Sequence, residues 1–356
     1  MNFFKEIVLQ KYNDNGVRCM IVEYRKTIII VLLTLGFCLL SSSAFAIVLK
    51  IATVSPEGAT WMVEMREGAK EIKKRTEGRV KFKFYSGGVM GSDENVLRKI
   101  KIGQLQGGAV TGGSLFNIYP ALSVYTLPFF FQSLKEVDAV REKLDPYLIR
   151  GLEEKGFVTF GLGEGGFAYL MSNEKLLTKE DVRRKKVWLV TGDRISEALL
   201  KSAAVSPIPL PISDVMTGLQ TGLIDTVATS PIAAISLQWH TRVKYLTDAP
   251  ISYFFGMLTV SKKSFDKMSA KDQLVVREVM AKTFAKINAQ NRIDNERARE
   301  ALVNQGIKFV EMSNEILNDW KKTADNAIQT LIQENLVNPE VYKKMQGIIS
   351  SYRASQ

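Results

Sequence analysis

One run constrains the fold of this chain more than any other stretch. It extends from Lys185 to Pro231, KKVWLVTGDRISEALLKSAAVSPIPLPISDVMTGLQTGLIDTVATSP. Lys186 to Val190 is apolar and β-branched around Trp188, which suits a buried strand. Ser196 to Ala204 has the spacing of a short amphipathic helix, and Pro207 and Pro209 then force an extended segment. Ser213-Asp214 can cap a second helix over Val215 to Thr221, Gly222 can end it, and Ile224 to Thr229 is one more strand. Strand and helix alternating at such short intervals is the pattern of an α/β sheet.

The same alternation runs upstream. Val48 to Val54 is a strand, and Thr60 to Lys74 a helix with Trp61, Met65, Ala69 and Ile72 on one face. Val80 to Tyr85 alternates Val80, Phe82 and Phe84 inward, Ser92-Asp93 caps a helix over Glu94 to Ile102, and Gly107 to Thr111 is a short strand. Phe157 to Gly163, Phe167 to Ser172 and Met257 to Val260 are further strands. From Ala270 to Gln305 the helical pattern is unbroken, with Leu274, Val276, Met280, Phe284 and Ile287 as its apolar stripe. About 36 residues at 1.5 Å each span roughly 54 Å, more than the width of one small domain. A last strand, Ile307 to Met312, and helices finish the chain. In sheets of this kind ligands sit at the carboxyl ends of the strands.

Arg25-Lys26, the apolar stretch Thr27 to Leu40 and Ala44-Phe45-Ala46 have the layout of a cleaved targeting segment over residues 1–46, with Met20 as the better-placed start. The mature protein is expected to begin at Ile47 and to be released into the periplasm. Both cysteines, Cys19 and Cys38, lie upstream of that point, so no disulfide, thiol nucleophile or thiolate metal site is available downstream. The net charge is +11, of which about +9 lies beyond residue 46. The basic residues are dispersed along helix faces, as at Lys70, Lys73, Lys74 and Arg75, and export argues against nucleic acid as a partner. His240 is the sole histidine, which excludes a Ser-His-Asp set and the two-histidine metal motifs. The glycine loop Gly87 to Gly91 lacks the Lys-Ser/Thr of a phosphate-binding loop and suits a tight turn. No cofactor and no metal are expected.

The wording P-x-P-x-x-D-V-x-x-x-L-Q-T-G-L-I-D, over Pro209 to Asp225, resembles the solute-binding proteins of TRAP transporters, the DctP-like family. Further matching stretches are Gly87 to Gly91 with the helix after it, Ala121 to Phe129 (ALSVYTLPF), and Gly166-Phe167; the resemblance extends from about Lys50 to about Val310. It implies a two-domain α/β periplasmic binding protein fold, with a long helix over residues 270–305 lying across both domains. Residues 47–167 and 257–290 would form the first domain, and 168–256 and 305–356 the second. It also implies a receptor, not an enzyme, that closes over one small organic molecule and delivers it to the small and large membrane subunits of a TRAP transporter. A receptor presenting its ligand to a membrane sensor, or an exported enzyme built on carboxylates alone, are the rival readings.

Three departures from the family's pattern bear on the ligand. Relatives commonly hold a ligand carboxylate with an arginine in the strand written K-I-R-V, where this chain has Trp188. A second arginine commonly follows the Gly-Phe, where this chain has Ala168, and Ser230 replaces an asparagine. Trp188 and Ala168 are therefore expected to face the cleft. Phe167, Tyr169, Trp61 and Trp239 would add apolar walls, and Glu164 and Asp193 acceptor groups. Arg194 lies close enough in sequence to swing a guanidinium into the same space. From the first domain, Glu57, Thr111 and Ser114 are candidates by position. The expected ligand is neutral or cationic, not a simple carboxylate.

Overall fold

The computed structural model describes residues 46–356; the expected targeting segment up to Phe45, with both cysteines, lies outside them. The order begins β1 (Ile47–Thr53), α1 (Thr60–Arg75), β2 (Val80–Tyr85), α2 (Asp93–Lys101) and β3 (Gly107–Thr111). After two 3-10 turns come α3 (Leu134–Glu154), β4 (Phe157–Val158), β5 (Gly163–Ser172), α4 (Lys179–Arg183) and β6 (Trp188–Val190). Next are α5 (Arg194–Ser202), β7 (Ile208–Leu210), α6 (Val215–Thr221), β8 (Thr226–Thr229), α7 (Pro231–Ser236) and β9 (Tyr245–Ser261). The chain closes with α8 (Lys262–Phe265), α9 (Ala270–Asn304), β10 (Lys308–Val310), α10 (Asn314–Gln333) and α11 (Pro339–Ala354).

The main sheet has the order β2-β1-β3-β9-β5-β8, with β4 and β10 also on β9. β1 pairs parallel with β2 and β3, whereas β9 runs antiparallel to β3 and β5. The carboxyl half of β9 lies beside β3, Thr111 against Gly256, and its amino half beside β10, Tyr245 against Lys308. β5 follows β9 through both halves, from Gly163 against Gly256 to Ser172 against Tyr245. β6 and β7 form a separate parallel pair, tied to β8 by a bridge between Val187 and Thr226.

The β5–β9 ladder is broken twice, between Glu164 and Gly166 and between Ala168 and Leu170. At the first break Gly165 is the extra residue, and Gly166 has φ +87°, a left-handed value that glycine adopts without a Cβ penalty. At the second, residues 248–251 of β9, including Pro250, bulge away from β5.

α9 packs against α1, α7 and β5. Its buried apolar residues stop at Ile287 and resume at Ala298. Leu274 lies off the stripe and is 69% exposed, because its spacing to Val276 and Met280 puts it on the outer face. α9 crosses α1 closely at Gly68, where a Cβ would lie 2.5 Å from Thr283 Oγ1. β9 is far longer than the strand expected from Met257, and Phe157–Val158 and Gly163–Ser172 are separate strands. α5 starts two residues before the expected Ser196 because Asp193 caps it. Ser92 caps α2 as expected, through the Asn95 N–H, and Gly222 ends α6 with φ +71°. No helix among the described residues is long and apolar enough to cross a membrane.

The first turn of α9 is fastened to the α1–β2 connection by Arg79, whose guanidinium donates to both oxygens of Asp272 at 3.0 and 3.1 Å. Hydrogen bonds from Arg79 hold the Asp272 carboxyl below the usual range. A carboxyl with a depressed folded pKa stabilises the fold above its unfolded pKa, about 3.9, and loses that contribution as pH falls through the folded value. Asp272→Asn is therefore expected to lower the Tm at pH 7 by a few degrees. The gap between wild type and variant should narrow as pH falls below about 4. A gap constant from pH 7 to pH 2, measured by calorimetry, would contradict this account.

Candidate functional site

A cavity of about 330 Å³ lies where several strands end. Its wall takes Thr53 from the end of β1, Ala109 to Thr111 from β3, Val190 from β6 and Thr229 from β8. The α1 start (Ala59, Thr60, Trp61), Gly163 to Gly165 of β5, α7 with Ile232 and Ala233, and Phe254 to Met257 of β9 complete it. The site thus sits at the carboxyl ends of strands, as sheets of this class favour.

Three of the four tryptophans line this space. Trp188 and Trp239 meet edge to face, ring centroids 5.0 Å apart and planes at 81°. Both belong to an apolar cluster with Val215, Leu219, Val227 and Leu246. The Trp188 indole donates to the Leu210 carbonyl at 3.0 Å. Trp61, on α1, packs against a different cluster, built around Leu49, Met65 and Phe284.

Glu164, Asp193 and Ser230 also reach the cavity. The Glu164 carboxylate is 1% exposed and already engaged: Arg292 donates to it at 2.9 and 2.8 Å, and the Tyr253 hydroxyl at 3.2 Å. Burial pushes the Tyr253 phenol above its ordinary pKa. Asp193 accepts from the Ile195 and Ser196 N–H groups at 3.1 and 3.0 Å and from the Ser196 hydroxyl at 2.6 Å. Burial pushes its carboxyl up towards the protonated form. No lysine or arginine lines the cavity among the described residues.

The structure departs from expectation at four residues. Ala168 is fully buried opposite Ser252 and is not part of the cavity wall. Phe167 and Tyr169 line a separate groove against α9, where Arg299 lies over the Tyr169 ring at 5.1 Å. Arg194 points away, towards Glu197 at 3.3 Å and Glu334 at 3.9 Å. Among the positional candidates, Thr111 lines the cavity but spends its hydroxyl on Asp93 at 2.7 Å. Glu57 is exposed and paired with Arg66, and the Ser114 hydroxyl donates to the Thr111 carbonyl. His240 bonds the Ala234 carbonyl through Nδ1 at 3.0 Å.

Sequence reasoning missed Phe254, Phe255, Ile212, Ile232 and Asn291, all on the cavity wall. The aromatic pair before Gly256 was a usable strand signal, masked by the loop-like Asp248-Ala249-Pro250 upstream.

The backbone of β5 at the cavity is held from behind by α9. Asn288 accepts from the Glu164 N–H at 2.7 Å and donates to the Leu162 carbonyl at 3.1 Å. Asn291 donates to the Glu164 carbonyl at 2.6 Å, and Asn295 to the Gly165 carbonyl at 3.4 Å. Arg292 adds the bridge between Glu164 and Asp138. Removing one partner of a buried pair leaves an uncompensated charge. Arg292 is about one-third exposed, so Arg292→Ala is expected to cost about 2–3 kcal/mol, less than a fully buried pair. Arg292→Met combined with Glu164→Gln should recover most of that loss. Urea titrations check both, and a double variant no more stable than Arg292→Ala would refute the charge argument.

The chain matches the model of the bacterial extracellular solute-binding proteins, family 7 (DctP), over residues 51–335. Among curated relatives it is 28% identical to a solute-binding protein of Verminephrobacter eiseniae over 65% of this chain and 69% of that one. It is 23% identical to the C4-dicarboxylate-binding periplasmic protein DctP of Rhodobacter capsulatus, over 76% and 80%. Its fold is similar to that of the sugar acid binding protein DctPAm from Advenella mimigardefordensis with galactonate, at TM-score 0.80 and 20% identity, over 86% and 99% of the two chains. It is also similar to a TRAP periplasmic solute-binding protein from Desulfovibrio salexigens with bound orotic acid, at TM-score 0.79 and 16% identity, over 86% and 99%. The extended strands β5 and β9, the 35-residue helix across them and a model match over most of the chain lead to one assignment: this protein belongs to the DctP family of TRAP periplasmic solute-binding proteins.

Proposed function

We propose that this protein is the extracytoplasmic receptor of a TRAP transporter, exported through a cleaved signal peptide over residues 1–46, which captures a small organic ligand in the cavity behind Trp188. The two domains would be 47–167 with 257–290, and 168–256 with 305–356. Closure would bend the chain where β5 and β9 pass between their two halves, as in hinge-type binding proteins. The closed form would hand the ligand to the transporter's two membrane subunits.

The observation that carries the ligand side of this reading is Trp188. Relatives of similar fold are described with galacturonate, glucuronate, gulonate, galactonate or orotic acid bound, all acids. A buried carboxylate needs a cation or several donors to offset its desolvation, and a bidentate guanidinium is the strongest such partner. This cavity has an indole at the position where the family commonly carries that arginine, and Arg194 is turned outwards. The reading is therefore a receptor whose ligand is not anchored as a simple carboxylate.

A thermal-shift screen of the exported protein against organic acids, neutral cyclic compounds and amines tests this. A ligand that binds only the native state at a hundred times its Kd adds about 2.7 kcal/mol of stability. A compound that raises the wild-type Tm is expected to leave a folded Trp188→Ala variant unshifted, with circular dichroism confirming the fold. An equal shift in that variant would remove Trp188 from the site.

A further inference from the structure

We infer that the ligand is an uncharged ring compound bearing hydrogen-bond acceptors, and that the site disfavours carboxylates and ammonium groups alike. This rests on the receptor reading above and narrows it.

The aromatic walls alone leave two ligand classes open, because indole faces accept both flat neutral rings and cations. The carboxylates decide between them. A cation entering this space would need a free anion, and neither of the two carboxylates on the wall is free. Glu164 is neutralised by the bidentate Arg292, and Asp193 spends both oxygens on the start of α5. The α1 terminus acts in the same direction. Its N-cap position is Ala59, which supplies no side-chain bond, and Ala59, Thr60 and Trp61 lie on the wall. The positive end of the helix dipole there opposes a cation and favours partial negative charge.

An anion fares no better. No guanidinium or ammonium among the described residues reaches the wall to offset the desolvation of a carboxylate. What the wall does offer is hydrogen-bond donors. The indole N–H of Trp188 is used by Leu210, but those of Trp61 and Trp239 have no hydrogen-bond partner among the described residues. That of Trp239 is not sealed from solvent, since the one buried side-chain polar atom without a partner among the described residues is Asp93 Oδ1. The Ser230 hydroxyl, on a residue 4% exposed, is likewise without a partner among the described residues. These donors stay open to the cavity, so a ligand that displaces their water must bring carbonyl, ether or hydroxyl oxygens to replace it. A volume of about 330 Å³ is at the small end for ligand sites, and suits a compact ring with short substituents.

The test is calorimetric titration of the exported protein with ring compounds matched in three charge states. On one benzene ring these are 4-hydroxyacetophenone, 4-hydroxybenzoate and tyramine, and on a cyclohexane the corresponding ketone, carboxylate and amine; galacturonate is titrated beside them. The ketones are expected to bind at least about tenfold more tightly than either charged partner. Trp188→Arg is expected to reverse the order in favour of the carboxylates. Trp61→Phe, which keeps a ring and deletes the N–H, should weaken ketone binding, and Trp239→Phe, a change inside the core cluster, should do the same in protein whose fold circular dichroism shows to be retained. Carboxylates or galacturonate binding as tightly as the ketones would overturn the inference and leave the receptor reading standing. Amines binding most tightly would overturn it in favour of a cation site. Failure of every compound, galacturonate included, together with a silent thermal-shift screen, would overturn the receptor reading and this inference with it.

Discussion

The organising interaction is the polar ladder that the middle of α9 lays on the start of β5. A strand that bulges leaves backbone groups outside its ladder, and buried groups of that kind must find partners elsewhere. Here Asn288, Asn291 and Asn295 share one face of α9 and bond, in turn, the backbone of Leu162, Glu164 and Gly165. Arg292, one position on, meets the Glu164 carboxylate. The apolar stripe of α9 is interrupted between Ile287 and Ala298 for this reason. The helix therefore does more than pack on the sheet: it sets the path of Glu164 and Gly165, and so one wall of the cavity. Asn295 also accepts from the Ile232 N–H at the start of α7, which carries the same constraint to a second wall.

The cavity walls are also core. Trp188 and Trp239 sit in the cluster that holds β6, α6 and β8 together, and Leu302 near the end of α9 reaches the same cluster. Interiors are close-packed, so the shape a ligand meets is set by residues that the fold cannot easily give up. Trp61 is anchored separately, in the cluster beneath β1 and α9. Trp61 and the Trp188–Trp239 pair thus face one cavity from two separately packed clusters.

How much of this could be read from residues alone depends on whether a local pattern had a competitor. The segment from Trp188 to Thr229 folded in the expected order of elements, with Gly222 ending α6. However, α5 begins two residues early, and Asp214 at the start of α6 makes no side-chain capping bond because a 3-10 turn over Ile212–Asp214 leads into the helix. The long helix was legible because nothing between Ala270 and Asn304 breaks it. β9 was not, because Asp248-Ala249-Pro250 has the composition of a loop and yet lies inside the strand as a bulge. The placement of Ala168 failed for a related reason. A homologous position carries over a backbone site, and a methyl there does not reach what a guanidinium would. Glu164 and Asp193 were recognisable as acids near the site, but not as acids already satisfied, since Arg292 lies 128 residues away in sequence and the helix start at Asp193 was displaced by two residues.

That last point separates net charge from site charge. Beyond residue 46 the chain is strongly basic, yet the arginines nearest the cavity are consumed by acids of the scaffold. Arg292 serves Glu164 and Asp138, Arg299 serves Asp248, Arg141 serves Asp145, and Arg194 serves Glu197. Two of these pairs fix one element against another, β5 to α9 and α9 to β9, and two lie within a helix, between successive turns of α3 and in the first turn of α5. A guanidinium so engaged has its donors aimed at a carboxylate and little freedom to turn towards a ligand. Recruiting Arg292, Arg299 or Arg141 to the cavity would require breaking a scaffold pair. The absence of a lysine or arginine from the cavity wall, among the described residues, thus follows from how the surrounding charges are spent.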